Sequence, residues 1–497
     1  MDLRRRPKKA AMVETRFPYP IGATLDVING HIMYGTHGET YIMGGAYALP
    51  AVIGVQNTLK STLSLYMALL FLIRYSLESV LYIYDSELTM REDRIDRLAN
   101  ELGYEGSICD DGRVIIIRGD EQLGDDFFAD QKQFAKDKIQ AQKSLLRKTE
   151  LVDNAGNQIL CLVPTRVLYD SITKLSLNVT EKTRDENGLG DKGGNMLYME
   201  EGRHKKRLIN EHSGLARVAN HYCQMTAHLQ PIVSLDPYKP KTKRLKFIKG
   251  DLEIKGCPED IEFLATDIYQ TISSKALLIS GSKEPEYGNE GLVKGGSTNL
   301  VEVELGISRS KSGPTGPIKT IIAHQTAGIK HGLTCLNAIR KNKYYGLGGN
   351  NTKFYPELYP AYSVTRNSVQ AALDNDPKFL KAVEFTSEMM DIFEYWDHLD
   401  PRYFCTPKEL HDNIKELGYD WDVLLQTRNY PVIESLDENG KVIDRNLPPP
   451  LSTYDLLRMR VGEYHPFWLK ENPQGSMAKL KAKAEEITNK IENTIVG

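Results

Sequence analysis

Cysteine is scarce and unpaired in this chain: six among 497 residues, at positions 109, 161, 223, 257, 335 and 405. Their scatter argues against a disulfide framework or a zinc site and for a reducing compartment, the cytoplasm. Long apolar runs are missing too. The most apolar window, residues 66–73, is far too short to cross a bilayer, so no membrane partner is expected. Neither charge is in excess: 63 Lys and Arg face 66 Asp and Glu, a formal net charge of −3. Any contact with nucleic acid must then be a local patch. The basic start (Arg4, Arg5, Arg6, Lys8, Lys9) has no apolar segment behind it and does not read as a secretory signal. What is present is an ordinary globular composition, 41% hydrophobic and 26% charged, in a chain long enough for two or three units.

The chain is organised around residues 51–89. Leu49 to Ile53 is an apolar run suited to a buried strand, and a loop follows through Gly54, Val55, Gln56, Asn57, Thr58, Leu59, Lys60, Ser61 and Thr62. Leu63 to Ile73 is apolar on nearly every side, which predicts a helix with little solvent face. Ser79 to Tyr84 is the next strand, with Asp85, Ser86 and Glu87 at its carboxyl end. A Gly that lets the backbone turn, then Lys and Ser opening a helix, forms an anion cradle of backbone N–H groups at a positive helix end. Lys60 would reach the outer phosphates of a nucleotide, and Ser61 would ligate magnesium. The usual loop has a second Gly before the Lys, where this chain has Leu59. A Lys-Ser pair after a loop also arises without a ligand, so these residues alone leave both possibilities open.

Further on, residues 13–48 form a Gly- and Tyr-rich lead-in, Arg91 to Leu102 an amphipathic helix, and Arg113 to Arg118 a strand. Phe127 to Lys148 reads as a polar helix, and Asp153 to Gly156 as a hairpin turn. Thr165 to Asp170 is an apolar strand ending in Asp, as a nucleotide-binding sheet needs for the magnesium shell. The Gly-rich stretch 187–194 runs into the basic Arg203, Lys205, Lys206 and Arg207, with a helix expected from Leu208 to Cys223. Gln224 to His228 is a short strand. Lys239, Lys241, Lys243, Arg244, Lys246 and Lys249 then carry six positive charges with no acid between Pro237 and Gly250, interleaved with Tyr238 and Phe247. Phosphates met by cations and bases stacked on rings suit single-stranded DNA; a solvated surface loop has the same composition. Glu302 to Ile307 is a strand leading into a polar turn with Arg309 and Lys311, and Ile318 to Ala323 is another.

The order of Lys60-Ser61, Tyr84-Asp-Ser-Glu87, Leu168-Tyr-Asp170-Ser171 and Met225-Thr-Ala-His228 resembles RecA-family recombinases, and within them the phage UvsX-type branch. The resemblance covers about residues 45–330. It implies an α/β fold, a RecA-like P-loop ATPase core with a mostly parallel central sheet flanked by helices; beyond about residue 335 the amphipathic runs at 368–396 and 407–417 predict a mostly helical C-terminal region that exceeds the family core. The divisions expected are a lead-in at 1–44, the core at 45–335, a helical region at 336–436, and a linker with a terminal amphipathic helix at 437–497. By the same resemblance Gly54 to Thr62 would hold ATP, Ser61 and Asp170 would hold Mg2+, and Glu87 would position the attacking water. His228 would sense the γ-phosphate; a buried, hydrogen-bonded strand-end His is the other reading.

The stretches 185–207 and 231–256 fall where that family binds DNA, which implicates the basic residues in them. Arg309 and Lys311 would reach a neighbouring subunit's ATP. The implied partners are single-stranded and homologous duplex DNA, further copies of the chain in a helical filament, and a single-strand-binding or loading protein. A phage-encoded version would work in the bacterial host cytoplasm. Two other functions share these residues: a DnaB-type hexameric helicase, against which the Asp170-Ser171 pair speaks, and a DNA-binding protein whose ATPase has decayed, which Leu59 supports.

Overall fold

The computed structural model describes residues 25–28, 30–178, 194–232, 243–256, 260–288 and 298–469, with 482, 485, 486 and 489. The basic residues before position 10, the Gly-rich stretch 187–193, Lys239 and Lys241, and nearly all of the expected terminal helix lie outside them.

In chain order the strands up to residue 330 are β1 (Ile32–Tyr34), β2 (Thr40–Ile42), β3 (Pro50–Gly54), β4 (Leu81–Asp85), β5 (Val114–Arg118), β6 (Leu146–Val152), β7 (Gln158–Leu162), β8 (Thr165–Asp170), β9 (His221–Pro231), β10 (Leu252–Ile254), β11 (Asp267–Ala276), β12 (Leu300–Ser310), β13 (Ile318–His324) and β14 (Gly328–Ile329). Among the described residues, ten of these form one sheet in the order β14-β13-β12-β11-β3-β9-β8-β4-β5, with β10 beside β9. The six strands from β11 to β5 run parallel. From β11 through β14 each pair is antiparallel. The chain is thus α/β with a mostly parallel central sheet, as expected.

Helices α1 (Lys60–Tyr75), α2 (Glu92–Glu101), α3 (Gly124–Gln140) and α4 (Gly194–Ala219) flank the sheet. Period-two alternation decides which faces meet. Val52, Ile83 and Leu168 share a core with α1 and α2. Their neighbours Ala51, Ile53, Val167 and Tyr169 share another with Phe127 of α3 and Leu208 and Ile209 of α4. Both faces are therefore covered, which is why β3 and β8 are buried at every residue.

Two helix expectations need correction. The polar helix stops at Gln140, and Leu146 to Val152 is strand β6, whose alternating burial marks a half-exposed hairpin with β7. The helix expected from Leu208 starts at Gly194. Arg203, Lys205, Lys206 and Arg207 therefore sit on a helix rather than in a loop.

The region beyond the sheet is mostly helical, with α5 (His331–Lys341), α6 (Val369–Asn375), α7 (Pro377–Tyr395), α8 (Pro407–Glu416) and α9 (Thr453–Arg460), and it also holds a small antiparallel sheet of β15 (Leu347–Gly349), β16 (Lys353–Pro356) and β17 (Val364–Thr365). Helix α5 crosses residue 335 and shares a core with Leu300 and Ile322 of the sheet. The Pro-rich stretch near 437–450 returns to the end of α1 through Arg445. The last four carbonyls of a helix have no partner inside it. For α1 they are supplied from outside: Leu72 O accepts from Arg113 Nη2 at 2.7 Å, Ile73 O and Arg74 O from Arg445 at 2.6 and 2.9 Å, and Tyr75 O from the Ile433 amide at 2.8 Å. The lead-in is tied down likewise, Thr40 bonding Asp455 at the start of α9.

Candidate nucleotide site

Parallel pairing brings the strand ends of interest to one edge. In register, Gly54 of β3 lies beside His228 of β9 and Thr271 of β11, and Asp85 of β4 beside Asp170 of β8. Ligands of parallel α/β sheets gather at this carboxyl edge.

The loop after β3 is tightly built. Gly54 has no room for a side chain, because a Cβ would collide with the Thr271 hydroxyl. The Thr58 hydroxyl lies 2.8 Å from Val55 O and 2.7 Å from Thr271 Oγ1. Val55 is half-buried, Gln56 and Asn57 are exposed, and Asn57 and Leu59 both have positive φ, near 60°. Leu59 is the N-cap of α1 and takes the left-handed conformation that a Gly would adopt freely. For a side-chain-bearing residue that costs about 1–2 kcal/mol, offset by packing of the Leu59 side chain on the main core. Leu59 thus holds a left-handed turn of the kind a Gly takes without strain.

Lys60 opens α1. Its Nζ donates to Val55 O at 2.6 Å, so the ammonium is folded over the loop. Burial draws its pKa below the usual lysine range, and the charges of Glu87 and Asp170 partly restore it. Thr62 accepts from Arg94 Nη2 of α2 at 2.7 Å.

Asp170 is almost wholly buried, and its Oδ1 accepts from the Thr226 hydroxyl. Burial pushes its pKa up; hydrogen bonds from Thr226 and Ser61 oppose that, while Glu87 and Asp85 add to it. Its Oδ2 is buried without a hydrogen-bond partner. A buried carboxylate with an orphaned oxygen, beside the Ser61 hydroxyl, suits a hard cation that takes oxygen ligands. Among the described residues no group of three or more His, Cys, Asp or Glu could hold a metal by itself. Ser61 and Asp170 would therefore share Mg2+ with nucleotide phosphates, and the ion would neutralise charge on them.

Glu87 lies on the turn after β4. Its Oε1 accepts from Ser171 Oγ at 2.8 Å and lies 2.6 Å from His228 Nε2. Burial works against the charged form, but the bonds from His228 and Ser171, with the charges of His228 and Lys174, hold the carboxyl below its usual pKa. The His228 amide donates to Thr173 Oγ1 at 3.0 Å. An ionised carboxylate fixed by two side chains, coulombically coupled to Lys60, is equipped to orient a water and accept its proton. Asp85 has a different job: buried, it accepts from the Glu87 and Met90 amides at 3.2 and 2.6 Å and shapes the turn.

Other expected residues are placed elsewhere. Arg309 is in β12, not in the turn, donating to Ala265 O and Phe263 O. Arg309 pairs with Ile268 near the start of β11, beside the amino end of β3 and not its Gly54 end. Lys311 is exposed just beyond; burial lowers its pKa, Arg309 adds to this, and Asp267 opposes it. Neither cation belongs with Lys60 of its own chain. Arg203, Lys206 and Arg207 are exposed on α4, whereas Lys205 is fully buried and ion-paired with Glu201 at 2.6 Å. Lys205 is therefore corrected from a surface phosphate contact to an interior residue. Arg244, Lys246 and Lys249 are exposed, while Lys243 is half-buried and 3.6 Å from Asp251. Leu245 and Ile248 anchor this segment in the core.

Sequence reasoning missed Thr226, Thr271, Ser171 and Thr173 as partners in the site. Thr226 sits two residues before His228 on the same strand, so period two aims both at one face; that signal was legible.

No protein-family profile matches the chain. No curated protein matches it either. Among solved structures, the crystal structure of the RadB recombinase is similar in part: 14% identical, TM-score 0.33, covering 63% of this chain and 98% of that one.

Proposed function

We propose that the chain is an ATP-dependent DNA recombinase that assembles on single-stranded DNA as a helical filament, with Mg2+ and ATP at each subunit, and pairs that strand with homologous duplex. One observation carries it: the loop ending in Lys60-Ser61, the buried Asp170 and the Glu87–His228 pair stand along one edge of four adjacent parallel strands. Such a row can hold a triphosphate, a magnesium ion and an oriented water. Assembly is supported by Arg309 and Lys311, which are cations by the far ends of the strands, where a neighbour's nucleotide could meet them. DNA binding is supported by two groups of exposed cations, Arg203, Lys206 and Arg207 on α4, and Arg244, Lys246 and Lys249.

Electron microscopy of the chain with single-stranded DNA and a non-hydrolysable ATP analogue tests the proposal. Helical filaments are expected; closed rings would instead indicate a DnaB-type helicase, and free monomers would exclude both. Replacing Arg244, Lys246 and Lys249 together by Ala should weaken single-strand binding and flatten its salt dependence. Each lost phosphate contact removes about 0.7 from the log–log slope, so three should remove about 2. A titration at several salt concentrations with an unaltered slope would return this segment to ordinary surface.

A further inference from the structure

Lys205 has an environment unlike that of the other cations on α4. Its side chain is fully buried and lies 2.6 Å from Glu201 one turn earlier. The same ammonium donates to two carbonyls from other segments, Thr173 O at 3.4 Å and Gly256 O at 3.3 Å. Thr173 belongs to the turn after β8, and Gly256 comes after β10. Burying an ammonium is costly, and here the cost is offset by one carboxylate and two carbonyls. What the charge adds is a tie between three segments.

Thr173 faces both ways. Its carbonyl accepts from Lys205, and its hydroxyl accepts from the His228 amide at 3.0 Å. His228 Nε2 then lies 2.6 Å from Glu87 Oε1. The hydrogen bonds Lys205–Thr173–His228–Glu87 thus run without a gap from the interior of α4 to the candidate water-positioning carboxylate. On the same helix Arg203, Lys206 and Arg207 are exposed, and the segment ending at Gly256 carries Arg244, Lys246 and Lys249.

We propose that Lys205 is a positioning residue that conveys the binding of single-stranded DNA at these two cationic segments to Glu87. A polyanion drawn onto α4 shifts the helix, Lys205 carries Thr173 with it, and the Thr173 hydroxyl resets His228 and hence Glu87. A contiguous network is only a route; energetic coupling along it is what an experiment must measure. The proposal rests on the ATPase reading of the nucleotide site.

The test is Lys205→Met in the full chain, with ATP hydrolysis measured across a titration of single-stranded DNA. Expected is a fall of at least tenfold in the ratio of DNA-stimulated to basal turnover, with the DNA concentration for half-effect changed less than threefold. Thr173→Val should give the same split, and it carries the test if the Met variant fails to fold. Wild-type stimulation in either folded variant would overturn the proposal. So would a tenfold loss of DNA affinity with a reduced salt slope, which would make Lys205 a phosphate contact. If Lys60→Ala removes turnover but the unaltered chain shows no DNA stimulation, the coupling falls and the nucleotide site stands. If the unaltered chain hydrolyses no ATP, both fall together.

Discussion

Lys60→Ala is expected to reduce single-strand-stimulated ATP hydrolysis by about 100- to 1,000-fold, the usual effect of removing one donor aimed at charge that develops in the transition state. Lys60 sits where strand β3 delivers it, at the first residue of α1, with its ammonium 2.6 Å from Val55 O and coupled to Glu87 and Asp170. No other Lys or Arg stands in that loop. Loss of the ammonium also removes a donor from the Val55 carbonyl, so some loss of stability is expected and circular dichroism should accompany the assay. A folded variant with unchanged turnover would sink the assignment of the loop to phosphate binding.

Glu87→Gln should separate binding from chemistry. The amide keeps the shape of the side chain but cannot accept a proton, so hydrolysis should fall by about 100- to 10,000-fold, while ATP binding stays within a few-fold. Filaments formed with ATP should then outlast those of the unaltered chain. Because His228 and Ser171 hold the Glu87 carboxyl below its usual pKa against the opposing effect of burial, the carboxylate persists into more acid solution than an ordinary Glu. The acid limb of a pH–rate profile should accordingly lie below the normal glutamate range and disappear in the Gln variant. An acid limb that remains in Glu87→Gln would assign it to another group.

The core of this arrangement can be read from the residues because its strands are buried on both faces. Runs such as Leu49–Ile53 and Val167–Tyr169 are apolar throughout and give way to polar loop residues, so their ends announce themselves. The start of α4 is harder to read, because Gly194, which opens the helix, looks like loop by its residue type. Lys205 illustrates a different limit. In the run Arg203-His-Lys-Lys-Arg207 helical spacing to Leu208, Ile209 and His212 turns Lys205 inward, but the partners that hold it, Thr173 and Gly256, come from distant parts of the chain. The early end of α3 is hard to read as well: the buried positions of the strand that follows fall on Arg147, Thr149 and Leu151, so its alternating burial has no matching apolar alternation.

The outside capping of α1 has a consequence for how the chain is made. The carbonyls at the end of the helix that begins with Lys60 wait for Arg445, which is 371 and 372 residues further along than Arg74 and Ile73. A ribosome adding about 5–20 residues per second needs roughly 20–75 s to synthesise that interval. Until then Ile73 O and Arg74 O lack the donor they have in the finished fold, while Leu72 O is closed much earlier, by Arg113. Nascent chains released early would keep every residue of the nucleotide site yet leave the helix beneath them unfinished. Under the proposed function, nucleotide turnover should thus arrive late in synthesis.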